Sequence, residues 1–74
     1  MPEGWMQGKP VTPLMRQLMH DARDQDVIVH DGSREFYASL IIQRWGWLES
    51  TRVGDGMYII RLTPLGCKAL DGEA

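Results

Sequence analysis

Trp47-Leu48-Glu49-Ser50-Thr51-Arg52-Val53, then Gly54-Asp55-Gly56, then Met57-Tyr58-Ile59-Ile60-Arg61-Leu62, closed by Thr63-Pro64, is the stretch that decides the fold. Two β-rich runs around a short Gly-Asp-Gly turn predict a β-hairpin, because glycine supplies the backbone angles that a tight reversal needs. Side chains alternate between the faces of a strand, so Tyr58, Ile60 and Leu62 share one face and Met57, Ile59 and Arg61 the other. Thr63-Pro64 then starts a helix. A threonine hydroxyl caps free backbone N–H groups, and proline loses nothing at the first helical position. This helix is expected over Pro64–Asp71, with Leu65, Ala69 and Leu70 inward and Gly72 as its stop.

On the N-terminal side of the hairpin, Gly46 ends a second helix that Ser33 caps and that runs to Arg44 or Trp45. On a wheel of roughly 100° per residue, Phe36, Tyr37, Leu40, Ile41 and Trp45 fall on one side and are expected inward. Glu35, Ala38, Ser39, Ile42 and Gln43 fall on the other and are expected to face solvent. Before this helix, Val27-Ile28-Val29 is β-branched throughout and too short for a helix, so it predicts a short strand ended by Asp31-Gly32. Thr12-Pro13 repeats the capping chemistry and opens a helix over Pro13–Asp24, whose apolar stripe is Leu14, Met15, Leu18, Met19 and Ala22. The two Thr-Pro-Leu triplets are convergent helix starts, since nothing after them repeats.

Residues 1–11 hold Pro2, Gly4, Gly8 and Pro10 without periodicity and are expected to form a flexible N-terminal tail that carries Trp5 and Met6. The domain proper is expected over 12–72, with 73–74 as its C-terminal end. The order is helix, short strand, helix, β-hairpin, helix: an α+β fold in which a helical layer covers a small antiparallel sheet.

Composition narrows the function classes. The chain has 74 residues, 43% of them apolar and 24% charged, a net charge of −2 and one cysteine. That length makes one small domain, too apolar and too weakly charged to be disordered. A single thiol gives no disulfide framework and suggests a reducing, cytoplasmic compartment. No apolar run approaches the ~20 residues of a membrane span, and Met1-Pro2-Glu3-Gly4-Trp5 lacks the features of a signal peptide. Residues 33–61 carry Arg34, Arg44, Arg52 and Arg61 against Glu35, Glu49 and Asp55, a local balance of +1. The flanks on both sides are acidic.

Catalytic and metal chemistry finds little purchase. His20 and Asp24 stand at i and i+4, and His30-Asp31 follows, but two histidines without a matching cysteine or carboxylate spacing make a poor zinc site. Cys67 has no histidine partner in a recognisable pattern, and Gly54-Asp55-Gly56 is not followed by the Gly-Lys-Ser/Thr of a phosphate loop. A domain without enzymatic activity, metal or cofactor is expected.

The segment Leu40-Ile41-Ile42-Gln43-Arg44-Trp45-Gly46-Trp47-Leu48-Glu49, the turn Gly54-Asp55-Gly56, and Tyr58-Ile59-Ile60-Arg61-Leu62-Thr63-Pro64-Leu65-Gly66 with Ala69-Leu70 together resemble the winged helix-turn-helix superfamily. The likeness is to its small prokaryotic members of the multiple-antibiotic-resistance-regulator type, and it covers roughly half of the chain. It departs from them in one respect: only residues 33–45 are available between the first strand and the hairpin, so the usual helix pair is reduced to one helix and the likeness is to a minimal, trimmed version. The resemblance implies a DNA-binding, transcription-regulatory module in which the second helix enters the major groove and the hairpin reaches phosphates. It implies Arg34, Arg44, Arg52 and Arg61 as phosphate contacts and Ser39 and Gln43 as contacts to base edges of double-stranded DNA. A homodimer is the expected assembly if the chain reads DNA, because two half-sites raise affinity. The alternative is a winged-helix protein-interaction module, an adaptor or a small phage-type inhibitor of a host complex. There Glu35 and Ile42 on the solvent face of the second helix, with Trp47 just beyond its end, would dock a protein.

Overall fold

The computed structural model of the chain describes residues 5–72, with Trp5 described through its backbone only. Residues 1–4, 73–74 and the Trp5 side chain lie outside the described residues. The elements in order are β1 (Trp5–Met6), β2 (Lys9–Pro10), α1 (Pro13–Asp24), β3 (Val27–His30), α2 (Arg34–Arg44), β4 (Leu48–Gly54), β5 (Met57–Leu62) and α3 (Pro64–Asp71). From α1 onward this is the expected α+β order of helix, strand, helix, hairpin, helix.

The three helices begin in the same way. Thr12, Ser33 and Thr63 hold extended backbone angles, and their hydroxyl oxygens accept from the N–H groups of Met15 (3.2 Å), Phe36 (3.1 Å) and Gly66 (3.0 Å). Each such cap satisfies one of the N–H groups that a helix start leaves without an internal acceptor. At the far end of α2, Gly46 adopts φ +82°, the left-handed conformation that side-chain-bearing residues avoid. Its N–H donates to the Gln43 carbonyl, and that of Trp47 to the Ile42 carbonyl, turning the chain straight into β4.

β5 is the central strand of a three-stranded antiparallel sheet ordered β3-β5-β4. On one side Val27 pairs with Ile60 and Val29 with Tyr58; on the other Leu48 pairs with Leu62 and Ser50 with Ile60. The hairpin turn falls at Asp55-Gly56, and the β4 ladder is irregular between Arg52 and Gly54. The Asp31 N–H donates to the Gly56 carbonyl at 2.7 Å, so the hairpin tip is fastened to the corner between β3 and α2.

The inner face of the sheet carries Val29, Ile60 and Leu48, and α1 covers it with Met15, Leu18, Met19 and Ala22. Ala69 and Leu70 of α3 complete the core. Met19, Ile42 and Ile60 are fully inaccessible. Burying a side chain of that size contributes about 1.5–3 kcal/mol, so these three sit where the core is least tolerant of change.

Leu65, expected inward on α3, is instead 53% exposed, and two larger expectations are corrected. In the stretch expected to be a flexible tail, Trp5–Met6 and Lys9–Pro10 pair as a small hairpin, and Met6 and Val11 are buried at 3% and 2% exposure. The turn at Gln7-Gly8 (φ +51° and +78°) aims these two apolar groups at the core, which anchors a segment that lacks periodicity of its own. The second correction concerns α2. Its buried face is Ala38, Ser39 and Ile42, while Tyr37, Leu40 and Ile41 point outward. α2 packs chiefly on α1, whose buried side chains include Met15, Leu18 and Met19, with β4 and β3 beside it. A helix facing such bulk packs best through small side chains, which leaves its larger ones outside.

Candidate interaction surface

α2 positions most of the residues on which a function can rest, and its phase decides which of them reach solvent. Ser39 is fully buried and donates its hydroxyl to the Phe36 carbonyl at 2.6 Å, so it is satisfied inside its own helix and cannot touch a base edge. Gln43 is half-buried: its Nε2 lies 3.5 Å from the Ser39 hydroxyl, and its Oε1 accepts from the Ser50 hydroxyl at 3.1 Å. That amide ties α2 to β4. Ile42, expected on the surface, has no exposed area, and Trp47 is 4% exposed with its ring edge-on to Trp45 at 5.2 Å. Neither can anchor a partner. Glu35 is half-buried in the first turn of α2.

The four arginines divide into two pairs. Arg61 is set on the outer sheet face, and its Nε and Nη2 donate to the two carboxylate oxygens of Asp26 at 3.1 and 3.3 Å. Glu49 stands opposite it on β4 and adds a second negative charge. Arg52 lies 3.4 Å from the Asp55 carboxylate and donates to the Gly54 carbonyl. A phosphate approaching either guanidinium would meet a carboxylate already beside it, which raises the cost of that contact. Arg34 and Arg44 are different. Both are exposed, and neither has an ion pair or side-chain hydrogen bond to a described residue.

The Asp26–Arg61 pair has a measurable consequence. The Arg61 guanidinium holds the Asp26 carboxyl below its ordinary value of 3.8, mainly through the hydrogen bonds, and the carboxylate raises Arg61 in return. A carboxyl whose folded value is depressed stabilises the fold fully above the ordinary range, and loses that contribution as pH falls through the folded value. Asp26→Asn is expected to flatten the acid limb of stability against pH. Urea midpoints measured from roughly pH 2 to 6 check this, and an unchanged limb would remove Asp26 from the linkage.

What α2 presents to solvent was not selected from the sequence. Tyr37, Leu40 and Ile41 are 58%, 39% and 40% exposed. Arg34 and Arg44 lie on the same side of the helix, one at each end of this apolar strip. Ten residues of helix separate the two arginines by about 15 Å. A strip with this spacing is the usual anchor set by which one helix docks another. The signal for it was present in Ala38 and Ser39, two small residues that make their side of the wheel the closer-packing one.

Among the described residues no group of three or more His, Cys, Asp or Glu is placed to hold a metal ion, and Cys67 is half-buried and free. No described helix is long and apolar enough to cross a membrane. No protein-family model matches the chain, and neither a curated protein nor a solved structure matches it.

Proposed function

We propose that this chain is a non-enzymatic protein-interaction module, built as a trimmed winged helix, that engages its partner through the outward face of α2. The observation that carries this reading is the exposure of Tyr37, Leu40 and Ile41 together on one side of a well-capped helix. Large apolar groups gathered in one exposed strip mark interaction sites more often than single scattered ones do. The winged-helix reading draws support from the strand order β3-β5-β4, with the hairpin directly after α2 and α3 closing the sheet. A cytoplasmic setting fits a chain with one free thiol.

DNA is the second reading, and Arg34 and Arg44 favour it, since both are exposed and no described carboxylate pairs with either. Against it stand the buried Ser39, the engaged Gln43, and Arg52 and Arg61 with acids beside them. A photo-crosslinking phenylalanine analogue placed at position 37, at 41, or at the hairpin position 53 separates the two in cells. The expected result is a discrete protein adduct from positions 37 and 41 and none from 53. A nucleic-acid adduct from the α2 positions, or equal protein yields from all three, would sink the reading.

A further inference from the structure

Resting on the reading of α2 as a docking face, the geometry points to an acidic amphipathic helix as its partner: apolar side chains for Tyr37, Leu40 and Ile41, and a carboxylate at each end of that strip for Arg34 and Arg44. The positions 37, 40, 41 and 44 follow the i, i+3, i+4, i+7 pattern with which one helix seats along another. The charges make the choice of occupant. Arg34 and Arg44 bracket the strip, and no described carboxylate neutralises them. A partner that buries the strip must bring acids to both ends or leave two cations facing its own surface unpaired.

The same charges argue against a second copy of this chain. Packing α2 on its symmetry mate in antiparallel fashion sets Arg34 against the mate's Arg44. Parallel packing sets each arginine against its own equivalent. Either way like charges meet at both ends of the contact, which opposes association. The outer sheet face offers another apolar row, Ile28 beside Ile59, but there Arg61 is already matched by Asp26 and Glu49 and gives a partner no charge to read.

The probe is a synthetic helical peptide with leucines at i, i+3, i+4 and i+7 and a glutamate beyond each end of the leucine stripe. Its lysine-for-glutamate counterpart is the control. Binding is followed by amide chemical-shift changes in the labelled full chain. The glutamate peptide is expected to shift residues 34–44 and to bind about tenfold more tightly than the lysine peptide, the scale of two exposed ion pairs. The double variant Arg34→Glu/Arg44→Glu is expected to reverse that preference, with its own spectrum showing that it is folded. Equal binding of both peptides would overturn the acidic partner and leave the docking face standing. No shift in residues 34–44 with either peptide would overturn both. Sedimentation showing a dimer that Leu40→Glu dissociates would assign the face to a second copy. A duplex oligonucleotide that shifts the same residues with a steep salt dependence would assign it to nucleic acid.

Discussion

Ile42→Ala is expected to cost about 2–4 kcal/mol, whereas Leu40→Ala and Ile41→Ala should each cost less than about 1 kcal/mol. The three residues are adjacent or nearly so and of similar volume, so only the phase of α2 separates them. Ile42 has no solvent exposure, while Leu40 and Ile41 keep about two-fifths of theirs. Removing three carbons from a site packed on all sides forfeits their transfer free energy and leaves a cavity. Removing them from the outward strip uncovers only part of what they shield and leaves no enclosed cavity. A domain of this length holds roughly 4–11 kcal/mol in all, so Ile42→Ala should displace the unfolding midpoint by a large share of its value. Urea titrations followed by tryptophan fluorescence give the comparison directly. If Leu40→Ala or Ile41→Ala proved the most damaging of the three, α2 would be rotated from its described phase and the docking face would vanish with it.

Gly66→Ala is expected to destabilise the chain by about 3 kcal/mol, against the ordinary helical preference for alanine of up to ~1 kcal/mol in the opposite direction. Gly66 occupies the first turn of α3 with no unusual backbone angle, so its requirement is one of space. A β-carbon there would run into the carbonyl oxygen of Trp47 and come within 2.7 Å of Leu62 Cδ1. The leucine can turn aside. The carbonyl cannot, because it accepts the Thr63 N–H at 3.0 Å and belongs to the joint between α2 and β4. Thr63 also donates its hydroxyl to the Gly46 carbonyl at 2.6 Å, so the glycine's neighbours are pinned from two sides. The added Leu62→Ala change is expected to give no rescue. A Gly66→Ala protein within 1 kcal/mol of the parent by denaturant melts would mean that α3 can lift from the joint without strain.

Much of the fold was legible because its signals were local. Thr12, Ser33 and Thr63 each cap a helix by bonding three residues ahead, a contact that spacing alone encodes. The alternation in Tyr58-Ile59-Ile60 fixed the inner face of β5 in the same way, and Ile60 is fully buried as it requires. The phase of α2 was not local. Apolar residues occupy both sides of its wheel, and hydropathy favoured the bulkier side. The outcome depended on how much bulk α1, β4 and β3 already supplied opposite it. That error carried straight into the candidate site. Ser39, Ile42 and Trp47, expected at the surface, lie inside, whereas Tyr37, Leu40 and Ile41, expected in the core, form the exposed strip. Arg34 and Arg44, at the ends of the helix, were placed outside under either phase. The N-terminal hairpin was missed for a related reason: it is held by two buried side chains, Met6 and Val11, whose partners are distant in sequence.

The strand order has a consequence for the way this chain can be approached. β3 and β4 are the outer strands, and each presents unpaired main-chain groups that a foreign strand could in principle extend. Both edges are blunted. β3 is four residues long, preceded by Asp26 and followed by Asp31, and β4 breaks its ladder between Arg52 and Gly54 and carries Glu49 and Arg52. Short, irregular and charged edges resist sheet-to-sheet polymerisation. They also discourage a partner from binding by β-augmentation, in which affinity comes from main-chain bonds and accepts many sequences. Under the proposed reading, recruitment then falls to side chains on a helix rather than to main-chain edges.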